Sequence, residues 1–255
     1  MTARSRSVSS AVAAATLLVV VAGCGGGGGT PPPAAEQPAG VDLIADGKLT
    51  TCTSLPYEPF QFQEGDTIVG FDVEMIDLVA TELGVTQEII DTPFEGIESG
   101  ESMNTGLCDV AAAAMTITDV REQNFDFSDP YFDATQALLV KSDSGIADAA
   151  GLAGRRVGVQ NATTGQEWAQ ENLPNSELVV FDDLGLLTTA AQTGQVDAAI
   201  NDNAPLRDFA EKNPEMAVTT EFDTGEQYGF GVRTGNTALL QVINETIAKA
   251  KSDGT

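Results

Sequence analysis

From residue 47 the chain alternates between short apolar runs of strand length and segments whose apolar residues recur at helical spacing. This alternation restricts the fold more than any other feature. Residues 48–55 (KLTTCTSL) read as a strand and 71–83 (FDVEMIDLVATEL) as a helix. In that helix Val73, Ile76, Val79 and Leu83 share a face, Asp72 is the candidate start cap, and Gly84 closes the end. A second strand covers 86–91, and a third covers 109–117 (DVAAAAMTI), apolar as buried parallel strands are. Further strands follow at 136–141, 155–160, 178–181, 197–201 and 228–233. Helices begin near 165 and cover 184–193, 204–212 and 236–250, the last with Leu239, Val242, Ile243 and Ile247 on one face. Such a chain is expected to be α/β, with parallel-type sheets and crossover helices.

Ligands of such sheets bind beyond the carboxyl ends of the strands. Here those ends carry Ser54 to Tyr57, Ala114 to Arg121, Gln160 to Thr164, and Asn201 with Asp202. Arg121 is one of few basic residues in an acidic chain. Its planar fork suits a carboxylate, although an ion pair with Asp119 or Glu122 is the commoner arrangement for such a residue. Thr163, Thr164 and Gly165 open a helix, where backbone N–H groups either bind an anion or are simply capped. Asp202 either holds an ammonium group or caps the next helix. Tyr57, Phe60 and Phe94 either wall a ligand or fill core. Together these groups would complement a zwitterionic amino acid.

The first residues bear on location. Arg4 and Arg6 precede an apolar run at 11–22, which has the length of a signal-peptide core and is too short to span a bilayer. The run ends in Val21-Ala22-Gly23-Cys24. Small residues before a cysteine suit a lipoprotein signal peptidase; an ordinary secretory signal with a chance cysteine is the alternative. Gly25 to Gly29 and Pro31 to Pro33 then form a flexible and next a semi-rigid tether. The expected organisation is therefore a signal peptide over 1–23, a tether over 24–41 and a folded part of about 215 residues. Cleavage before Cys24 removes Arg4 and Arg6 and no acid, taking the formal charge from −26 to −28. That charge repels nucleic acid and anionic headgroups. The chain has no histidine, which excludes a histidine general base, a Ser-His-Asp triad and histidine metal ligation. No cofactor or metal is expected. With Cys24 acylated, Cys52 and Cys108 remain. They are either a disulfide or two independent thiols, and an offset of several residues at ~3.3 Å each works against the ~7 Å Cα limit for a bridge.

Several stretches resemble the family 3 solute-binding proteins of amino-acid ABC importers. They are PYEPFQF (56–62), VGFDVEMIDLVATELGV (69–85), FEGI (94–97), CDVAAAAMTITDVREQNFDFSDPYF (108–132), LAGRRVGVQNATTGQEWA (152–169), VDAAIND (196–202) and YGFGVRTGN (228–236). The resemblance runs from about Gly47 to Thr255. It implies a two-lobe periplasmic binding protein type II fold joined by two hinge strands, with a first lobe from 42–134 plus 226–255 and a second from 139–222. It also implies roles. Arg121, helped by Thr116, matches the arginine that grips the ligand α-carboxylate. Thr164, beside Thr163, matches the second lobe's donor to that carboxylate. Asp202 matches the aspartate on the α-ammonium, and Ala114 stands where a backbone carbonyl accepts from the same ammonium. Tyr57 and Phe94 match the aromatic walls, and Ser54 and Gln160 stand at side-chain-reading positions.

Two departures matter. Relatives that bind basic amino acids commonly carry an acid where Ser54 stands. The chain also ends at SDGT, where the family usually continues with a short helix containing tyrosine and tryptophan. The implied function is non-catalytic capture of a free amino acid for a membrane permease, by a monomer lipid-anchored on the extracytoplasmic face of the cell membrane. Ser54, Tyr57, Phe94, Gln160 and Asn161 carry no charge, so the expected ligand is glutamine or a similar uncharged polar amino acid. A basic ligand becomes the better fit if Glu58 turns into the cleft. An enzyme of the cyclohexadienyl dehydratase type, on the same fold, would need an acid there, with Glu58 or Glu95 the candidates. The sensing domain of a receptor is a further alternative, disfavoured because no membrane span or signalling domain follows Thr255.

Overall fold

The computed structural model describes residues 40–255, so the expected signal peptide, Cys24 and the expected tether up to residue 39 lie outside the described residues, while Val41, expected as tether, is buried in the core. Strands are β1 (Lys48–Thr53), β2 (Phe62–Glu64), β3 (Thr67–Val69), β4 (Thr86–Asp91), β5 (Val110–Ala111), β6 (Asp126–Phe127), β7 (Phe132–Lys141), β8 (Arg156–Gln160), β9 (Glu177–Phe181), β10 (Ala198–Asp202), β11 (Met216–Tyr228) and β12 (Gly231–Val232). Helices are α1 (Phe71–Glu82), α2 (Phe94–Glu98), α3 (Glu101–Asn104), α4 (Thr164–Asn172), α5 (Leu184–Thr193), α6 (Asn203–Lys212) and α7 (Thr237–Asp253). Two five-stranded sheets result, ordered β4-β1-β5-β12-β6 and β11-β7-β10-β8-β9.

Each sheet is the centre of a lobe. In the first, one face packs on α1 and α7 through Leu49, Ile76, Val79, Phe230, Leu239 and Ile243. The other packs Cys52, Ile97, Met103, Met115 and Phe125. In the second, Leu138, Val157, Val159 and Ile200 cover one face with Ala169 of α4, and Leu139, Leu187 and Ala199 lie on the opposite side. The sheets are mixed rather than purely parallel. β1 runs parallel to β4 and β5, and β8 to β9 and β10, while β12 and β7 each join their sheet antiparallel.

β7 and β11 are the two connecting strands, paired antiparallel from Met216 opposite Lys141 to Tyr228 opposite Phe132. The stretch 216–227 carries little apolar alternation and was not expected as a strand; its long partner β7 is what orders it. Between Phe222 and Glu226 the register shifts, because four steps along β11 oppose the two from Gln136 to Ala134. Bulges of this kind bend a strand and re-aim its side chains, and Glu226 emerges from it.

Three sequence expectations need correction. The apolar run 109–117 is strand only at Val110–Ala111. Ala114 has φ 47, and a left-handed residue cannot continue a pleated strand. Asp72 does not cap α1: Gly70 is the cap residue, and no side chain bonds the helix start. The last strand is shorter than 228–233, since Tyr228 belongs to β11 and only Gly231–Val232 join the first sheet. Cys52 and Cys108 are bonded, with Cα atoms 5.6 Å apart. The expected offset does not build up, because the β1–β5 ladder covers only two residue pairs and Cys108 lies in the irregular stretch just before it.

Candidate functional site

Ser54, Tyr57, Gln61, Phe94, Ala113, Ala114, Thr116, Arg121, Gln160, Thr163, Thr164 and Asp202 line one cavity between the lobes. All ten cleft residues expected from the sequence are among them.

Arg121 opens a 3-10 turn at Arg121–Gln123 and is 5% exposed. Its Nη1 donates to Thr116 O at 2.8 Å, and its Nη2 reaches across the cleft to Ala162 O at 3.1 Å. The guanidinium lies 5.4 Å from the centre of the Phe94 ring. Its carboxylate neighbour is Glu98, with Nε 3.7 Å away, and not Asp119 or Glu122. Burial lowers its pKa, opposed first by the Glu98 charge; an arginine still remains cationic.

On the second lobe Thr163 caps α4, its hydroxyl accepting from Gln166 N at 3.1 Å and donating to Gln160 O at 2.8 Å. Gly165 has a packing reason: a Cβ there would stand 2.6 Å from Gln136 Oε1. Asp202 occupies the cap position of α6 without bonding the helix. It faces the cleft instead. Oδ1 accepts from Gln136 Nε2 at 2.6 Å, and Oδ2 accepts from the hydroxyls of Tyr57, at 2.8 Å, and Tyr228. Burial, followed by the charge of Glu226, pushes the Asp202 carboxyl up to about 6, against the pull of these donors.

Three participants were missed from sequence. Glu226 bridges the lobes: its Oε2 accepts from Thr116 Oγ1 and Thr164 Oγ1, each at 2.8 Å, and its Oε1 from Gln136 Nε2 at 3.0 Å. Only the bulge in β11 brings it there. Gln61 is fully buried, and its amide donates to Ser54 O at 3.4 Å while Oε1 has no partner among the described residues. Asp72 is fully buried and accepts from Ala114 N at 2.7 Å and from the Tyr131 hydroxyl at 2.8 and 2.9 Å. Burial pushes its carboxyl up to about 7, with the Ala114 amide and the Tyr131 hydroxyl pulling the other way.

The chain matches the model of the bacterial extracellular solute-binding proteins, family 3, over residues 49–255. It belongs to that family. The L-cystine-binding protein TcyJ of Escherichia coli K12 is 34% identical over 203 residues, covering 78% of this chain and 76% of the relative. The glutamine-binding protein GlnH of Bacillus subtilis is 34% identical over 191 residues, covering 73% and 69%. An ancestral arginine-binding protein solved with glutamine superposes with a TM-score of 0.78 at 35% identity, covering 83% of this chain and 95% of that one.

Within this family fold, four residues considered from sequence fall outside the cavity. Phe60 is core, packed edge-on to Phe71, Phe132 and Tyr228. Asn161 turns its backbone to Phe181 O and does not line the cavity. Glu58 faces Lys212 at 3.0 Å, outside the cavity. Glu95 is exposed. Among the described residues no group of three or more acidic or cysteine side chains is arranged to hold a metal ion.

Proposed function

We propose that this protein captures an uncharged polar amino acid, glutamine or one like it, between its lobes and delivers it to the permease of an ABC importer. The observation that carries the reading is one cavity with a buried cation at one part of its wall and a buried carboxylate at another, the remaining lining being neutral. Arg121 would take the ligand carboxylate, and the Thr116 and Thr164 hydroxyls could join it only by leaving Glu226 Oε2, to which both donate. Asp202 and the Ala114 carbonyl would take the ammonium. Tyr57 and Phe94 would flank the side chain, with Ser54, Gln61 and Gln160 supplying polar partners. The unpartnered Gln61 Oε1 asks for an N–H donor, which a side-chain amide supplies.

A ligand bound to both lobes favours the closed form in proportion to its preference for that form, and the closed form is what a permease would read. Glu58 and Glu95, the acids that a dehydratase reading relied on, lie outside the cavity.

A basic ligand is the second reading, and one observation favours it: Glu226 adds a carboxylate to the cleft. A thermal-shift screen of the twenty amino acids followed by calorimetric competition decides between them. Glutamine should displace bound ligand better than arginine. Displacement by arginine at much lower concentration would overturn the glutamine reading and point to Glu226. For the anchor, the support is Val21-Ala22-Gly23-Cys24 and the tether. Cys24→Ala should leave the protein unprocessed or released from the membrane fraction, and normal maturation with full retention would refute lipidation.

A further inference from the structure

Ala114 lines the cavity with a backbone that alanine rarely adopts, φ 47. L-residues disfavour this region because Cβ crowds the following carbonyl. Something must therefore hold the turn. Its own amide is the handle: Ala114 N donates to Asp72 Oδ2 at 2.7 Å. Asp72 is fully buried in the second position of α1, where it makes no capping hydrogen bond. The Tyr131 hydroxyl, 2.8 and 2.9 Å from the two carboxylate oxygens, fixes the group from its other side. No donor among the described residues takes the Ala114 carbonyl.

We infer that Asp72 is a positioning residue for ligand recognition: by anchoring the Ala114 amide it holds the left-handed turn that presents the Ala114 carbonyl to the α-ammonium of the bound amino acid. The inference rests on the amino-acid reading above. Asp72 touches no ligand atom. It acts through one backbone amide, on the opposite wall from Asp202, so the ammonium would be met by a carbonyl from the first lobe and a carboxylate from the second.

The test compares two probes, L-glutamine and its des-amino analogue glutaramate, which lacks only the ammonium. Wild-type binding of glutamine is measured first; its failure would sink the ligand reading alone, and the screen's best amino acid with its own des-amino analogue would then take over. Asp72→Leu removes the acceptor but keeps a packed, neutral group of similar size. Asp72→Asn removes the charge but keeps an acceptor for the Ala114 amide. Calorimetry should find the glutamine-to-glutaramate preference cut at least tenfold in Asp72→Leu and within threefold of wild type in Asp72→Asn. A merely structural role would weaken both probes alike. An unchanged preference in Asp72→Leu, or an equal loss in both variants, would overturn the proposal. Should Asp72→Leu not fold, the smaller Asp72→Val is read in the same way.

Discussion

The second lobe brings Gln160, Thr163, Thr164 and Asp202 to the cavity from the ends of β8 and β10 and the start of α4. The first lobe brings Tyr57, Ala114, Thr116 and Arg121 from stretches outside its strands and α-helices. Regular elements position the former group through their own ladders and caps. The latter group needs ties that cross the chain: the Cys52–Cys108 bond, Asp72 on Ala114 N, and Arg121 on Thr116 O. A binding wall can thus be made from element ends at little cost, or from irregular backbone that must be braced.

Breaking the covalent brace should have the largest effect. A bond closing a loop of 56 residues contributes about 4 kcal/mol in the chain-entropy model. Cys52→Ala with Cys108→Ala, or reduction, should lower the denaturant midpoint accordingly. Loss of ligand affinity beyond what unfolding accounts for would mean that the bond also shapes the first wall.

The clamp comes next. Losing one partner of a buried, charge-assisted pair costs about 2–5 kcal/mol. Arg121→Ala and Asp202→Ala should each weaken binding by roughly thirtyfold or more. Thr164→Val, which removes a single neutral donor from the second wall, should cost about 1 kcal/mol. Equal losses for Arg121→Ala and Thr164→Val in calorimetry would erase the contrast between the walls.

The smallest effects are in pH. Asp72 and Asp202 titrate near 7 and 6 in the folded protein, above the ordinary 3.8. Between about pH 4 and those values the folded chain holds protons that the unfolded chain has released, so their contribution to stability falls as pH rises. Ligand-free protein should melt higher at pH 5 than at pH 8, and Asp72→Asn should flatten part of that slope. Binding has the opposite sign. An ammonium needs Asp202 as carboxylate, so affinity should drop as pH falls through about 6. Glu226→Gln removes a charge that raises the Asp202 pKa and should move this drop to lower pH. A pH profile of affinity that Glu226→Gln leaves in place would remove Glu226 from the site's electrostatics.

The α/β class, most of the central strands and helices and ten of the twelve lining residues were legible in the sequence, for a physical reason. Strand and helix periods are local, and the carboxyl ends of strands are where such folds expose side chains. The second wall follows from that rule almost alone. Local patterns could not reveal Asp72, Gln61 and Glu226. Asp72 reads as a helix cap until Ala114, 42 positions away, turns left-handed and offers it an amide. Gln61 sits in a loop, and only complete burial gives its free oxygen meaning. Glu226 lies on a polar stretch with no strand signal, and reaches the cleft because β7 orders β11 and a bulge re-aims it. Periodicity is written in neighbouring residues. The bracing of irregular backbone depends on partners that only tertiary packing brings together.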